Sequence, residues 1–80
     1  MNGLVMYSGP NCPACMQAER WLRANNAQFQ KVDVTGNLQL VQSLVANTGQ
    51  RTVPQFFFNG AWLSGGFNDV QALAQAGRLK

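Results

Sequence analysis

The chain has two cysteines, Cys12 and Cys15, which lie three residues apart in the segment Asn11-Cys12-Pro13-Ala14-Cys15. It has no histidine and only three acidic residues. A structural zinc site needs four ligands, usually Cys or His, so these two thiols alone cannot complete one. A structural disulfide between them would close a very short loop and would constrain the unfolded chain little. A close thiol pair in an intracellular protein is instead typical of redox chemistry.

The cysteine pair lies where the sequence predicts the start of a helix, which runs from Cys12 to about Asn25 or Asn26. Pro13 suits the first turn, because its missing N–H has no helical partner there. Unpaired backbone N–H groups and the helix dipole favour an anion at this end. We therefore expect a lowered pKa at Cys12, which attacks as the thiolate. Cys15, one turn further in, is expected to be less exposed and to act as the resolving thiol.

Apolar runs and turn residues divide the rest of the chain into short elements. The predicted elements are strand Leu4–Tyr7, the helix from Cys12, strand Phe29–Val34, a helix from Leu38 that ends at Gly49, strand Val53–Phe58, an Asn59-Gly60 hairpin turn, strand Ala61–Ser64, and a last helix that Gly77 stops. A Thr35-Gly36-Asn37 turn and cap precedes the second helix, and Asn68 with Gln71 makes a capping-box-like pair for the third.

The order of these elements, β-α-β-α-β-β-α, predicts the fold. The first half is a βαβ unit, whose strands are parallel and whose crossover is right-handed. The second half is a hairpin followed by a helix. The chain is thus expected to form one α/β domain of the thioredoxin type over residues 1–80, with a four-stranded mixed sheet and three helices. The Phe56-Phe57-Phe58 run and Trp21 are predicted to lie in the core, and Trp62 to be partly exposed.

Two further segments could bind a ligand. Val53-Pro54 begins a predicted strand, with the proline either in trans or in cis. In the cis form the Val53 backbone would face the thiols and would be free to pair with a peptide-like substrate. Gly65-Gly66, before the expected Asn68 cap, forms either a simple corner or an anion site at a helix N-terminus. The residues themselves leave both alternatives open.

The composition excludes several classes of function. The net charge is +3, but the basic residues are scattered and form no cluster of the kind that binds nucleic acid. No apolar run approaches the roughly 20 residues that span a bilayer, and the first residues do not resemble a signal peptide. We therefore expect a cytoplasmic protein without nucleic-acid or membrane partners. The charge favours anionic partners, such as a small thiol that carries carboxylates.

Three segments together resemble the glutaredoxin family in content, order and spacing, and the similarity covers essentially the whole chain. The segments are Asn11-Cys12-Pro13-Ala14-Cys15, Thr52-Val53-Pro54-Gln55 and Gly65-Gly66-Phe67-Asn68-Asp69. The chain looks most like the short bacterial and phage members. The resemblance implies a cis proline at Pro54, with glutathione as reductant and no tightly bound cofactor or metal.

The resemblance also implies where glutathione binds. Thr52 and Val53 would flank its backbone beside Pro54. Asn68 and Asp69, at the helix start that Gly66 precedes, would hold its γ-glutamyl end. The chain departs from the family pattern at Ala14, where a tyrosine is usual, at Gly9 and Pro10, where many members carry a lysine, and at Asn68, where Asp is frequent. Because that lysine is missing, Arg51 is our candidate for the glycyl carboxylate.

Three functions follow from this resemblance. The leading one is a monomeric dithiol reductase that glutathione recycles and that reduces protein disulfides or glutathione mixed disulfides. The second is a redoxin that thioredoxin reductase recycles and that supplies ribonucleotide reductase, since Trp62 with Ser64-Gly65-Gly66-Phe67 is also similar to such proteins. The third is a module in which Cys12 and glutathione hold an iron–sulfur cluster across a dimer. Pro13 and the resolving Cys15 count against the third.

Overall fold

A computed structural model describes residues 3–79 of the chain. The elements are β1 (Leu4–Ser8), α1 (Pro13–Ala24), β2 (Phe29–Asp33), α2 (Leu38–Thr48), β3 (Gln55–Phe58), β4 (Ala61–Trp62) and α3 (Phe67–Gln75). They follow one another in the predicted order and form the predicted thioredoxin-like fold. Within residues 3–79, no helix combines the length and the apolar character needed to cross a membrane.

The four strands form one mixed sheet in the order β2-β1-β3-β4. Strand β1 is parallel to β2, with Leu4 opposite Phe29 and Ser8 opposite Asp33. It is antiparallel to β3, and β3 is antiparallel to β4. Strands β1, β2 and β4 therefore share one direction, and their C-terminal ends meet the start of β3 at one edge, which we call the carboxyl edge. Each helix follows one of these three strands, so all three helix N-termini lie at the carboxyl edge.

The core lies between the sheet and the helices α1 and α3. Alternation along the strands places Leu4 and Met6 on the same face as Phe56, which is completely buried as predicted. Burial of each such side chain contributes roughly 1.5–3 kcal/mol. Trp21 is half-buried and contacts Phe67 edge to face, with 5.4 Å between the ring centroids. The buried members of this cluster are Leu4, Met6, Ala18, Leu22, Phe56, Val70 and Leu79.

Strands β3 and β4 are shorter than expected. The predicted strand from Val53 begins only at Gln55, because Pro54 has no N–H to donate to the sheet. The predicted strand to Ser64 ends at Trp62, although the N–H of Leu63 still donates to the Phe56 carbonyl at 2.9 Å. The segment that precedes β3 is therefore a loop at the carboxyl edge.

The prediction that Asn68 caps α3 is wrong. Gly66 is the N-cap, with φ 64° and ψ −135°, and no side chain caps the helix by a hydrogen bond. Glycine has no Cβ, so it adopts this positive φ readily, whereas other residues rarely do. The chain thus enters α3 two residues earlier than expected, and Asn68 lies inside the first turn.

Candidate active site

Cys12 is the N-cap residue of α1. Its backbone is extended, with φ −118° and ψ 90°, and its Sγ accepts a hydrogen bond of 3.1 Å from the N–H of Cys15. Its carbonyl accepts from Met16 N at 3.1 Å and so begins the helical pattern. Pro13 occupies the first turn, as predicted. The sulfur consequently lies at the positive end of the helix dipole with a peptide N–H directed at it, an environment that stabilises a thiolate.

The two cysteines form a disulfide across the start of α1, with their Cα atoms 5.2 Å apart. Cys15 is buried, with 3% of its surface exposed. Cys12 is only partly buried, and its neighbours Pro13 and Ala14 are exposed. The predicted difference in exposure is thus confirmed. An incoming disulfide therefore meets the partly exposed Cys12 more readily than the buried Cys15.

The loop before β3 lies against Cys12. The Val53–Pro54 peptide bond is cis, which is the alternative that the family resemblance implied. The carbonyl oxygen of Val53 lies 3.5 Å from the Cys12 Sγ, although the two residues are 41 positions apart in the chain. The fold therefore places the half-buried Val53–Pro54 backbone beside the Cys12 sulfur.

Gly9 lies beside the Val53 side chain of this loop, a contact that sequence reasoning missed. A Cβ at Gly9 would lie only 3.2 Å from the Cγ2 of Val53. That distance is shorter than most contacts between a Cβ and another carbon. A side chain at position 9 would require the Val53 side chain to move by a few tenths of an ångström.

Gly65 and Asp69 are joined by a hydrogen bond at the carboxyl edge, at the start of α3. The Asp69 Oδ2 accepts a hydrogen bond of 2.8 Å from the N–H of Gly65, which is the residue before the cap. A Cβ at Gly65 would lie about 2.5 Å from the Asp69 carboxylate, so a larger residue would displace that carboxylate from the Gly65 N–H. Asp69 is half-buried, and Asn68 beside it is exposed. The N-terminus of α3 therefore already holds one carboxylate.

Arg51 and Thr52 lie in the loop between α2 and β3, just before Val53. Both residues are exposed. Arg51 lines a groove of about 260 Å³ whose other walls are α2 residues, among them Leu38 and Val41. The contacts of the structure thus join Cys12, Cys15 and Val53 directly and join Asp69 to Gly65, whereas Arg51 is placed at the α2 side of the same loop.

The other two acidic side chains, like Asp69, are engaged with their own donors. Glu19 forms ion pairs with Arg23 at 2.8 Å and Lys31 at 3.0 Å, and hydrogen bonds from these cations lower the pKa of its carboxyl. Asp33, at the end of β2, accepts hydrogen bonds from the hydroxyl and the N–H of Thr35, which lower the pKa of its carboxyl. Both charges are therefore satisfied by neighbouring donors.

A thioredoxin-like fold with a disulfide-forming Cys-x-x-Cys pair at the start of its first helix defines the class of this protein as a thiol–disulfide oxidoreductase. The glutaredoxin family model matches residues 4–63. The chain therefore belongs to the glutaredoxin family.

Curated bacterial glutaredoxins support this assignment over nearly their whole length. A glutaredoxin of Pseudomonas aeruginosa is 34% identical over 79 residues, which cover 99% of this chain and 93% of that protein. Glutaredoxin 3 of Escherichia coli is 30% identical over 79 residues, or 99% of this chain and 94% of that protein.

Solved glutaredoxin structures share the fold. The crystal structure of a buckwheat glutaredoxin–glutathione complex has a TM-score of 0.74 and 28% identity, and covers 98% of this chain and 73% of that one. The solution structure of a dithiolic glutaredoxin from Trypanosoma brucei brucei has a TM-score of 0.72 and 32% identity, and covers 98% of this chain and 82% of that one.

Proposed function

We propose that this protein is a glutathione-dependent reductase of protein disulfides and glutathione mixed disulfides, with Cys12 as the attacking and Cys15 as the resolving thiol. One observation carries the proposal. The partly exposed Cys12 sulfur caps α1 and accepts the Cys15 N–H, while the Cys15 side chain behind it is buried. We place the activity in the cytoplasm, where thiol systems keep such pairs reduced.

The reaction proceeds by two thiol–disulfide exchanges. The Cys12 thiolate attacks one sulfur of the substrate disulfide, so that a mixed disulfide forms on Cys12 and the other substrate sulfur leaves as a thiolate. The Cys15 thiolate then attacks the Cys12 sulfur, which forms the Cys12–Cys15 disulfide and releases the second thiolate. Two glutathione molecules reduce this disulfide by the same chemistry and leave as glutathione disulfide. A glutathione mixed disulfide on Cys12 can also be resolved by free glutathione.

The proposed glutathione site uses the backbone beside Cys12 and the start of α3. The cysteine of an extended glutathione would pair with the Val53 backbone next to Pro54, with Thr52 alongside. Its γ-glutamyl carboxylate would meet the N-terminus of α3 at Asn68 and Asp69, where the helix dipole favours an anion. The Asp69 carboxylate would attract the γ-glutamyl amine. The bound glutathione of the buckwheat relative supports glutathione as the ligand class.

Arg51 completes the proposed site at the glycyl end. Arg51 is exposed and directly precedes Thr52 in the sequence. Its guanidinium can bind a carboxylate with two parallel hydrogen bonds. Rotation of the long side chain from the α2 groove towards the Val53 loop would bring the charge to the ligand. A single exposed ion pair contributes roughly 0–1 kcal/mol, so Arg51 is expected to modulate affinity only modestly.

A pair of coupled assays tests the reductant. The protein is supplied either with glutathione, glutathione reductase and NADPH or with thioredoxin reductase and NADPH, and reduction of a glutathionylated peptide and of a protein disulfide is followed by NADPH oxidation. We expect rapid turnover with the glutathione system only. Efficient turnover with thioredoxin reductase, and none with glutathione, would instead support the redoxin that serves ribonucleotide reductase.

A further inference from the structure

Gln55 is a buried polar side chain at the start of β3, with 6% of its surface exposed. Its Oε1 accepts a hydrogen bond of 3.0 Å from the indole Nε1 of Trp62 on β4. Its Nε2 donates to the Gln50 Oε1 at 2.9 Å, to the Thr52 carbonyl at 3.0 Å and to the Thr52 Oγ1 at 3.3 Å. One amide thus connects Trp62 on β4 with Gln50 and Thr52 in the loop between α2 and β3.

The partners of Gln55 fix which way its amide points. An indole N–H can only donate, and a backbone carbonyl can only accept. The oxygen of Gln55 must therefore face Trp62 and its nitrogen must face Thr52, since the opposite orientation would bring like groups together. A glutamate at this position would keep the bond to Trp62 but would oppose the Thr52 carbonyl with a second acceptor. The site consequently requires an amide rather than merely a polar side chain.

The bond to the Thr52 carbonyl controls the next residue. The carbonyl of Thr52 and the N–H of Val53 belong to one planar peptide group, and in a trans peptide they point in opposite directions. When Gln55 holds the carbonyl towards the interior, the N–H of Val53 is directed away from Gln55. The Cys12 sulfur lies 3.5 Å from the Val53 carbonyl, so this N–H belongs to the backbone beside the reactive atom.

We propose that Gln55, held by Trp62, is a positioning residue that presents the Val53 N–H to substrates with a peptide backbone. The proposal rests on the proposed pairing of Val53 with the substrate cysteine, and it adds the specificity that this pairing creates. Disulfides that carry amide groups gain a backbone hydrogen bond, whereas small disulfides without amides do not. Gln55 therefore sets the preference of the enzyme for peptidic disulfides and leaves the reactivity of Cys12 itself unchanged.

The test compares two substrates under single-turnover conditions. The protein, reduced beforehand, reacts with a glutathionylated peptide or with 2-hydroxyethyl disulfide, which has no amide. For Gln55→Met we expect the second-order rate constant to fall about three- to tenfold with the peptide, the effect of one lost hydrogen bond, and less than twofold with 2-hydroxyethyl disulfide. Because no recycling reductant is present, the result does not depend on whether glutathione or thioredoxin reductase serves this protein.

Three further variants separate positioning from general damage. Trp62→Phe removes the donor to Gln55 and should give a smaller loss in the same direction, and the double variant with Gln55→Met should be no worse than Gln55→Met alone. Gln75→Met makes the same replacement at an exposed site on α3 and should change neither rate. Leu79 is buried far from the carboxyl edge, where its carbonyl accepts from the N–H of Gln28 just before β2. Leu79→Ala should therefore lower stability without changing the ratio of the two substrate rates.

The readout of the bond itself is the indole N–H signal of Trp62 in a proton–nitrogen NMR spectrum, which should shift in Gln55→Met. Equal losses on both substrates would overturn the proposal, since Gln55 would then act only on Cys12 or on folding. Unchanged rates on both substrates, together with a shifted indole signal, would also overturn it. If Gln55→Met does not fold, the substrate ratio of Trp62→Phe decides alone.

Discussion

The N-termini of α1 and α2 have nearly the same geometry but different chemistry. The cap residue Cys12 has φ −118° and ψ 90°, and the cap residue Asn37 has φ −119° and ψ 93°. The Cys12 sulfur accepts from Cys15 N at 3.1 Å, and the Asn37 Oδ1 accepts from Leu40 N at 3.0 Å. Both caps lie at the carboxyl edge. The fold therefore makes the same anion-favouring position twice, and the residue type decides whether it stabilises a helix or holds a reactive sulfur.

The surroundings of the two caps differ as well. Cys12 has a buried partner thiol one turn further along and the Val53 backbone opposite, whereas Asn37 is exposed and follows a surface turn. The start of α3 is a third variant, because Gly66 caps it without a side chain and Asp69 bonds back to Gly65. Reactivity at α1 thus needs three things together, namely the cap geometry, an ionisable side chain and a second thiol within reach.

The largest expected effect separates the two cysteines. Cys12→Ser retains a good N-cap residue but loses the nucleophile, so the protein should stay folded and reduce no disulfide at a detectable rate. Cys15→Ser should keep measurable turnover of glutathione mixed disulfides, because free glutathione replaces the resolving thiol, and should lose reduction of protein disulfides. The coupled glutathione assay measures both. Equal loss in the two variants on a glutathionylated peptide, or the reverse order, would show that the roles are misassigned.

The next largest expected effect is on the pKa of a cysteine thiol at a helix N-cap. We expect the pKa of the Cys12 thiol in Cys15→Ser to lie below that of free cysteine, because the N–H of residue 15 and the helix dipole stabilise the thiolate. Asn37→Cys in a protein that lacks both native cysteines should lower the pKa of the introduced thiol in the same direction. Thiolate absorbance against pH gives both values. An introduced thiol that titrates like free cysteine would break the proposed equivalence of the two caps.

A smaller effect concerns the proposed ends of the glutathione site. Arg51→Ala and Asp69→Ala should each weaken glutathione-dependent turnover severalfold, since each removes one charge contact with glutathione. Both variants should leave reduction of the protein by a small dithiol nearly unchanged. Steady-state assays at varied glutathione concentration measure the change in KM. Glu19→Gln is the matched control, because Glu19 pairs with Arg23 and Lys31. Unchanged KM in both site variants would remove Arg51 and Asp69 from the site.

The smallest effect on activity belongs to the α2 cap. Asn37→Ala removes the bond to Leu40 N and should lower the free energy of unfolding by about 1 kcal/mol. Its disulfide reductase activity should stay within twofold of the original protein, since Asn37 touches no reacting group in the proposed mechanism. Urea denaturation measures the stability. A large loss of activity in the folded variant would mean that the two caps are coupled and not independent.

Local sequence determined several parts of this protein. Pro13 and the apolar spacing of α1 placed Cys12 at a helix start, as the structure has it. Asn59-Gly60 predicted a hairpin turn, and both residues have the positive φ that such a turn needs. Asn37 was predicted as part of a turn and cap and is the cap of α2. Each of these features depends on residues within a few positions of one another, and such short-range preferences can be read from the sequence.

The tertiary structure decided the features that join distant segments. The residues allowed Pro54 in either isomer, and only the assembled sheet brings its loop to Cys12, 41 positions away in the chain. Gln55 belongs to a predicted apolar strand, yet its buried amide makes four hydrogen bonds, with Trp62 on β4 and with Gln50 and Thr52 in the loop before β3. The predicted cap of α3 was Asn68, whereas the structure has Gly66. The choice between these two residues depends on the position and direction of the chain at the end of β4. Long-range packing selects among local conformations of similar energy, and the sequence of one segment does not contain that information.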